Sequence, residues 1–385
     1  MKQLTSAIRN TIAPPHEALW QAADATHDEI EINPGHYEIV PFFDTTVQSV
    51  SDPQADFLRN GRRDPIGTRF RHTVTTTTGA PREANVYIPA PDIDQQHPFM
   101  VHMDTAWFTG VEGHNDDVAK RFMKEIGAPV VLVGPEYSGK KDSIMQLGAT
   151  ALGSLKVSQA RLAQESMAIG AALADQYGLA TNVVKVGESR GAMLAQAQWP
   201  YAKMHGLDIV YMDITDPCLA KRILGSPQEV LSLARWPVNE GLSLANIGSK
   251  LVKDGSALRK LGTVSLNPHN LTGALLGTGR ALFSGEAGSF PALVPHAVGV
   301  HMVSLKHNTM ADHELWRQLY IDHPAFNQVV LRDAHLGLVD PSIPRHIIER
   351  IKKFGAEFLR VDQQLSRMQH GNVHMKDKGE FGLVA

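Results

Sequence analysis

Gly187-Glu188-Ser189-Arg190-Gly191 sets one serine between two glycines, in the pattern G-x-S-x-G. The β-branched run Thr181 to Val186 precedes it, and the helix-forming segment Ala192 to Gln198 follows it. A strand that turns sharply into a helix at a serine demands small flanking residues and leaves the hydroxyl exposed above the sheet edge. The helix then points its first N–H groups and its dipole at the serine, where they favour developing negative charge. The chemistry open to such a serine is nucleophilic attack on an acyl carbon. Of the two charged residues in the turn, Arg190 is placed to ion-pair near the site entrance.

A serine hydroxyl is a weak nucleophile until a base takes its proton, and the base needs a third group to fix its tautomer. On an open sheet these partners belong on loops at the carboxyl ends of later strands. His335 suits the base: it follows the apolar run Asn327 to Leu331, in the loop Arg332 to Gly337, ahead of a C-terminal helix. Asp312 suits the acid, seven residues beyond Leu305 in the loop that starts at Lys306. An oxyanion hole needs two backbone N–H groups. One is expected from Arg190. The other is expected from Asp104, Thr105 or Ala106, after the strand Phe99 to Met103, where Trp107 and Phe108 could line a pocket.

The elements that must position these groups can be read from periodicity. Phe70 to Thr78 and Ala84 to Pro89 suggest an antiparallel hairpin. Strands at Pro98–Met103, Pro129–Val133, Val183–Val186 and Leu207–Met212 then alternate with helices at Asp116–Ile126, Val157–Tyr177 and from Arg190 onward. That alternation predicts an α/β fold with a mostly parallel central sheet flanked by helices. Between Leu219 and about Ala292 only helix-like segments appear, read as a helical insertion. Strands return at Val298–Leu305 and Asn327–Leu331, and an amphipathic helix closes the pattern from about Ile343 to Leu365. Residues 1–65 form an N-terminal extension with a helical piece around Glu17 to Ala25 and a loop at Arg59–Pro65. Residues 66–217 and 297–370 form the core, 218–296 the insertion and 371–385 a C-terminal tail.

Two other patterns compete for attention. Gly134-Pro135-Glu136-Tyr137-Ser138-Gly139-Lys140-Lys141 nearly matches a phosphate-binding loop, but Lys141 stands where Mg²⁺ needs a Ser or Thr hydroxyl. His307, Asp312 and His313, and separately His102 and Asp104, are metal-ligating types without diagnostic spacing. Neither a metal nor another cofactor is expected.

The totals set limits on function. With 385 residues, 43% hydrophobic and 20% charged, the chain can bury a large core. A net charge of −3 gives no electrostatic case for nucleic acid. Cys218 is the only cysteine, so no intrachain disulfide can form. No run of about 18 apolar residues suggests a membrane span, and no apolar signal segment opens the chain. The expected partner is a small acyl or ester substrate, in the cytoplasm, with homo-oligomerisation left open.

The G-x-S-x-G turn between strand and helix, the order Ser189, Asp312, His335, and an insertion before the acid strand resemble the α/β-hydrolase superfamily over roughly residues 66–370. The resemblance implies a serine hydrolase with an esterase-like or lipase-like triad, in which 218–296 forms a lid over the site. A peptidase or acyltransferase using the same triad, or a non-catalytic protein on the same fold, are the alternatives. Some members place the acid one strand earlier, where this sequence offers Asp213 and Asp216, of which Asp216 is the alternative acid here. The usual His-Gly pair after the third strand appears as His102-Met103, without the glycine.

Overall fold

The computed structural model describes residues 45–60, 64–77, 79–91, 98–105, 110–140, 144–217, 267–284, 286–306, 313–331 and 342–378. The helical piece expected at Glu17 to Ala25, Ala106 to Phe108, Asp312, His335, and 218–266 of the insertion lie outside these residues.

Among the described residues ten strands form one mixed sheet: β1 (Val47–Val50), β2 (Gln54–Asn60), β3 (Asp64–Thr76), β4 (Arg82–Pro89), β5 (Met100–Asp104), β6 (Val130–Val133), β7 (Asn182–Glu188), β8 (Asp208–Thr215), β9 (Gly299–Leu305) and β10 (Phe326–Leu331). Their order is β1-β3-β4-β6-β5-β7-β8-β9-β10, with β2 paired to β3. From β6 to β10 along that order every pairing is parallel. The strands from β1 to β4 pair antiparallel, and β4 joins β6 antiparallel as well. Connection length explains the split. Short links such as 77–81 can join only antiparallel neighbours, whereas parallel neighbours need a crossover through a helix. The stretch expected as a loop at Arg59–Pro65 holds the end of β2 and the start of β3, paired through Asn60 and Asp64.

The described helices are α1 (His114–Ile126), α2 (Leu147–Lys156), α3 (Gln159–Tyr177), α4 (Arg190–Met204), α5 (Pro268–Ser284), α6 (His313–Leu319) and α7 (Ser342–Lys378). The last runs past His370, where a tail was expected. Ser158 caps α3 by accepting the Arg161 N–H at 3.1 Å, and Gly178 ends it in the left-handed region that glycine takes without strain. Strand alternation sorts the core into two layers. Val86, Met100, Val131 and Val183 face α3 and α4, alongside Leu194 and Met167. Val101, Val130, Val184 and Val186 face the opposite way, against Phe122 of α1 and Ile347 and Ile351 of α7. Within 218–296, the described part is helical: α5 packs on α2, and a 3₁₀ segment, Glu286–Leu293, packs on α4. Among the described residues no helix is long and apolar enough to cross a membrane.

Candidate active site

β7 ends at Glu188 and α4 begins at Arg190, so Ser189 alone makes the turn. Its backbone has φ 56° and ψ −116°, a conformation that residues with a side chain rarely adopt. Both flanking glycines are required by close approach. A Cβ on Gly187 would lie within 2.6 Å of the Ala192 nitrogen, and one on Gly191 would strike the carbonyl group of Asp104 at the end of β5. The turn is also tied to the far side, where Ser189 N–H donates to Thr215 O of β8 at 2.9 Å. Held between the ends of β5 and β8, Ser189 is 4% exposed. The open hydroxyl expected from the sequence is therefore a buried one in this conformation.

Arg190 opens α4, where the first N–H groups point along the axis instead of at helical carbonyls. Its side chain is buried, not at an entrance. Burial and the neighbouring Glu165 push the Glu136 carboxyl up to about 7, against the pull of Arg190 and Arg82. Of the other oxyanion donors expected, Thr105 N–H donates to Val133 O of β6 at 3.2 Å. Val101 N–H also donates toward β6, so alternation along the strand turns Asp104 N–H toward β7. Both N–H groups belong to the sheet, which leaves Ala106, outside the described residues, as the remaining candidate. Asp216, the alternative acid, is fully buried just past β8 with φ 51°. Its Oδ1 accepts the Leu305 N–H at 3.1 Å. Leu305 and Leu331 pair as the last residues of parallel β9 and β10, so the segments carrying Asp312 and His335 leave the same sheet edge. A cleft at this edge is lined by Asp104, Gly187, Glu188, Thr215, His114 and Ile343.

Beneath the turn lies a polar cluster that the sequence reading missed. Lys185, in the middle of β7, is fully buried. Its ammonium donates to Asp104 Oδ2 at 2.6 Å and to His102 Nδ1 at 2.5 Å. Gln198 of α4 donates to the same Asp104 oxygen at 2.6 Å, and Ser166 of α3 to Oδ1 at 2.5 Å. Arg82 of β4 approaches Oδ1 at 3.9 Å. Burial disfavours the Asp104 anion, but Lys185 and Arg82 outweigh it and hold the carboxyl below its ordinary range. Burial and Lys185 bring His102 down to about 3, so the ring is neutral. Burial lowers Lys185 to about 8, against the attraction of Asp104. His102 and Asp104, weighed as metal ligands, thus share an ammonium instead. One part of the signal was in the sequence: Lys185 interrupts an apolar strand, and a buried cation needs a partner.

The loop that resembled a phosphate cradle does not present its N–H groups to a ligand. Three of its N–H groups are already taken: Ser138 on Pro135 O and Lys140 on Tyr137 O within the loop, and Gly139 on Pro81 O beside β4. The Asn267 carboxamide donates to the carbonyls of Ser138 and Lys140 at 3.2 and 2.9 Å.

No protein-family model matches the chain, and no curated protein matches it in sequence. Among solved structures it is similar to the peroxisomal α/β-hydrolase Lpx1 of Saccharomyces cerevisiae, at 12% identity and a TM-score of 0.51, over 88% of this chain and 99% of that one. Looser likenesses are to carboxyl esterase 2 of Tuber melanosporum (13% identity, TM-score 0.42, 90% and 99% covered) and to an esterase of Pyrobaculum calidifontis (17%, 0.42, 71% and 80%). The mixed sheet flanked by helices and its match to Lpx1 along nearly the whole of that chain identify this protein as one with the α/β-hydrolase fold.

Proposed function

We propose that the chain is a serine hydrolase that cleaves an ester or related acyl bond through an acyl-enzyme. The observation that carries this reading is the backbone of Ser189, held at φ 56° and ψ −116° between two glycines at the carboxyl edge of the sheet. A non-glycine residue is kept in such a conformation only when the surroundings over-determine it, and such outliers cluster at active sites. In this reading Ser189 attacks the acyl carbon, and His335 takes its proton and later returns it to the leaving group. The Arg190 N–H and one from Ala106 stabilise the oxyanion. Residues 218–296 act as a lid that excludes water.

Two carboxylates contend for the acid. Asp312 has the expected place in the chain, on the segment after β9. Asp216 has a specific observation in its favour: it is buried beside Thr215, whose carbonyl holds the serine turn. Replacing each by Asn separates them, since the true acid costs about 10⁴-fold in turnover and the other far less.

The reading as a whole is tested with a fluorophosphonate probe. Labelling of the folded protein that vanishes in Ser189→Ala supports it. A folded, unreactive wild type sinks it in favour of a non-catalytic binding protein on the same fold. A series of p-nitrophenyl esters then sizes the acyl group, and a reactive Ser189 that rejects every chain length points to a bulky or peptide substrate.

A further inference from the structure

We propose that Asp104 is a positioning residue for the Ser189 turn and the Arg190 N–H that follows it: its buried carboxylate, clamped by Lys185, Gln198 and Ser166, fixes the end of β5 against the serine turn. The inference rests on the hydrolase reading for its catalytic consequence, but its structural content stands apart.

Three donors close on this one carboxylate from three different elements: Lys185 from β7, Gln198 from α4 and Ser166 from α3. Two of those elements are the strand that leads into Ser189 and the helix that leads out of it. The carboxylate therefore holds β5 to both arms of the turn at once. The same residue's carbonyl is packed so closely on Gly191 that no Cβ fits between them. Any slip of the β5 end is thus passed directly to the turn and to the Arg190 N–H that follows the serine.

Stability alone does not account for such a cluster. Replacing a buried ionic group by apolar residues of similar volume is often neutral or stabilising. Met100 and Val183 fill the same layer of the same two strands with apolar side chains. What charge adds here is direction: each donor must meet its oxygen at hydrogen-bond distance, which apolar packing does not require. Lys185, though lowered by burial, stays cationic at neutral pH and keeps the clamp charged.

The test compares Lys185→Met and Asp104→Asn with wild type. The readouts are kcat and KM on p-nitrophenyl acetate, the rate of fluorophosphonate labelling, and amide hydrogen exchange over residues 100–105 and 187–193. The expected result is a fall in kcat of about 100-fold with KM changed less than about twofold, the size of effect a misplaced catalytic group produces. Faster exchange should be confined to those two segments. The double variant should lose little beyond the worse single, because both changes release one clamp. A lower melting temperature with wild-type kcat per folded molecule would overturn the proposal and leave the cluster a structural one. If Asp104→Asn does not fold, Ser166→Ala removes a single donor and should lower kcat about tenfold with the same exchange pattern. Should the wild type not label at all, the hydrolase reading fails on its own. Exchange then decides the clamp: loosened 187–193 in the variants upholds it, and unchanged exchange rejects it.

Discussion

Asp104 and Asp213 lie two strands apart on opposite faces of the sheet, both buried and both held by a cation, yet the contacts are built differently. Lys185 reaches Asp104 from the next strand, is itself fully buried, and shares the carboxylate with Gln198 and Ser166. Arg350 reaches Asp213 from α7 in a bidentate pair, Nε to Oδ2 at 2.6 Å and the terminal nitrogen to Oδ1 at 2.8 Å, and remains 23% exposed. The first contact is local and multiply braced, so it can transmit position between strand ends. The second joins a helix to the sheet through one flexible arm, supported by Tyr211 stacked on Phe354 at 4.7 Å. The lesson is that equal burial of two ion pairs does not give them equal roles; what counts is which elements each one ties and how far those lie from Ser189.

That contrast can be broken in several ways. The largest effect is expected from Gly191→Ala, which drives a methyl into the Asp104 carbonyl. Fluorophosphonate labelling should fall by about 10³-fold, comparable to losing an oxyanion donor. Near wild-type labelling would mean that the β5 end has slack and that Asp104 positions nothing. Arg350→Met should act on stability instead. It leaves Asp213 buried without its partner, and urea unfolding should show a loss of about 3 kcal/mol. Activity per folded molecule should stay within a few-fold of wild type. A fall in kcat as deep as that of Lys185→Met would erase the distinction between the two faces.

Each face carries one imidazole whose burial should cost stability in acid. Beside each aspartate sits an imidazole brought down to about 3 by burial, His102 next to Asp104 and His301 paired across from Asp213. In the unfolded chain each takes up a proton near pH 6.5, whereas the folded protein resists until about pH 3. The unfolded state thus binds more protons in that window, so stability is complete above pH 6.5 and is lost as pH falls. At pH 5 the loss is up to about 2 kcal/mol for each imidazole. Urea unfolding at pH 7 and pH 5 measures it by comparison: His102→Gln and His301→Gln should each lose less stability between the two pH values than the wild type. Glu136 and Asp213, raised by burial to about 7 and about 6, take up protons in the fold over the same window and act in the opposite sense. The comparison with each variant is therefore decisive: a variant whose pH 7 to pH 5 change equals that of the wild type would show that its ring is protonated in the fold.

Much of this arrangement was legible in the chain. Apolar, β-branched runs marked the parallel strands, and Gly187, Ser189 and Gly191 marked the turn, because burial on both faces and a forced backbone leave strong compositional traces. β2 was not legible: Gln54–Asn60 mixes Asp56 and Arg59 with Phe57, which is 80% exposed, and shows no two-residue rhythm. The clamp was missed for a different reason. Lys185 and Asp104 read individually as polar interruptions, and only the register between β5 and β7 brings them together. The second oxyanion donor was also narrowed by register alone, since nothing in the local sequence says that Thr105 N–H is used by Val133.

The backbone of Ser189 has one more consequence. A glycine would take φ 56° and ψ −116° without strain, whereas serine pays for its Cβ there. Ser189→Gly should therefore raise the unfolding free energy by about 1 kcal/mol, read as a higher urea midpoint, while removing the hydroxyl. A selection for thermal robustness alone would drift away from serine at this position; under the proposed hydrolase reading, its presence marks a trade of durability for reactivity. An unchanged or lower midpoint in Ser189→Gly would show that the turn is relaxed with serine in it.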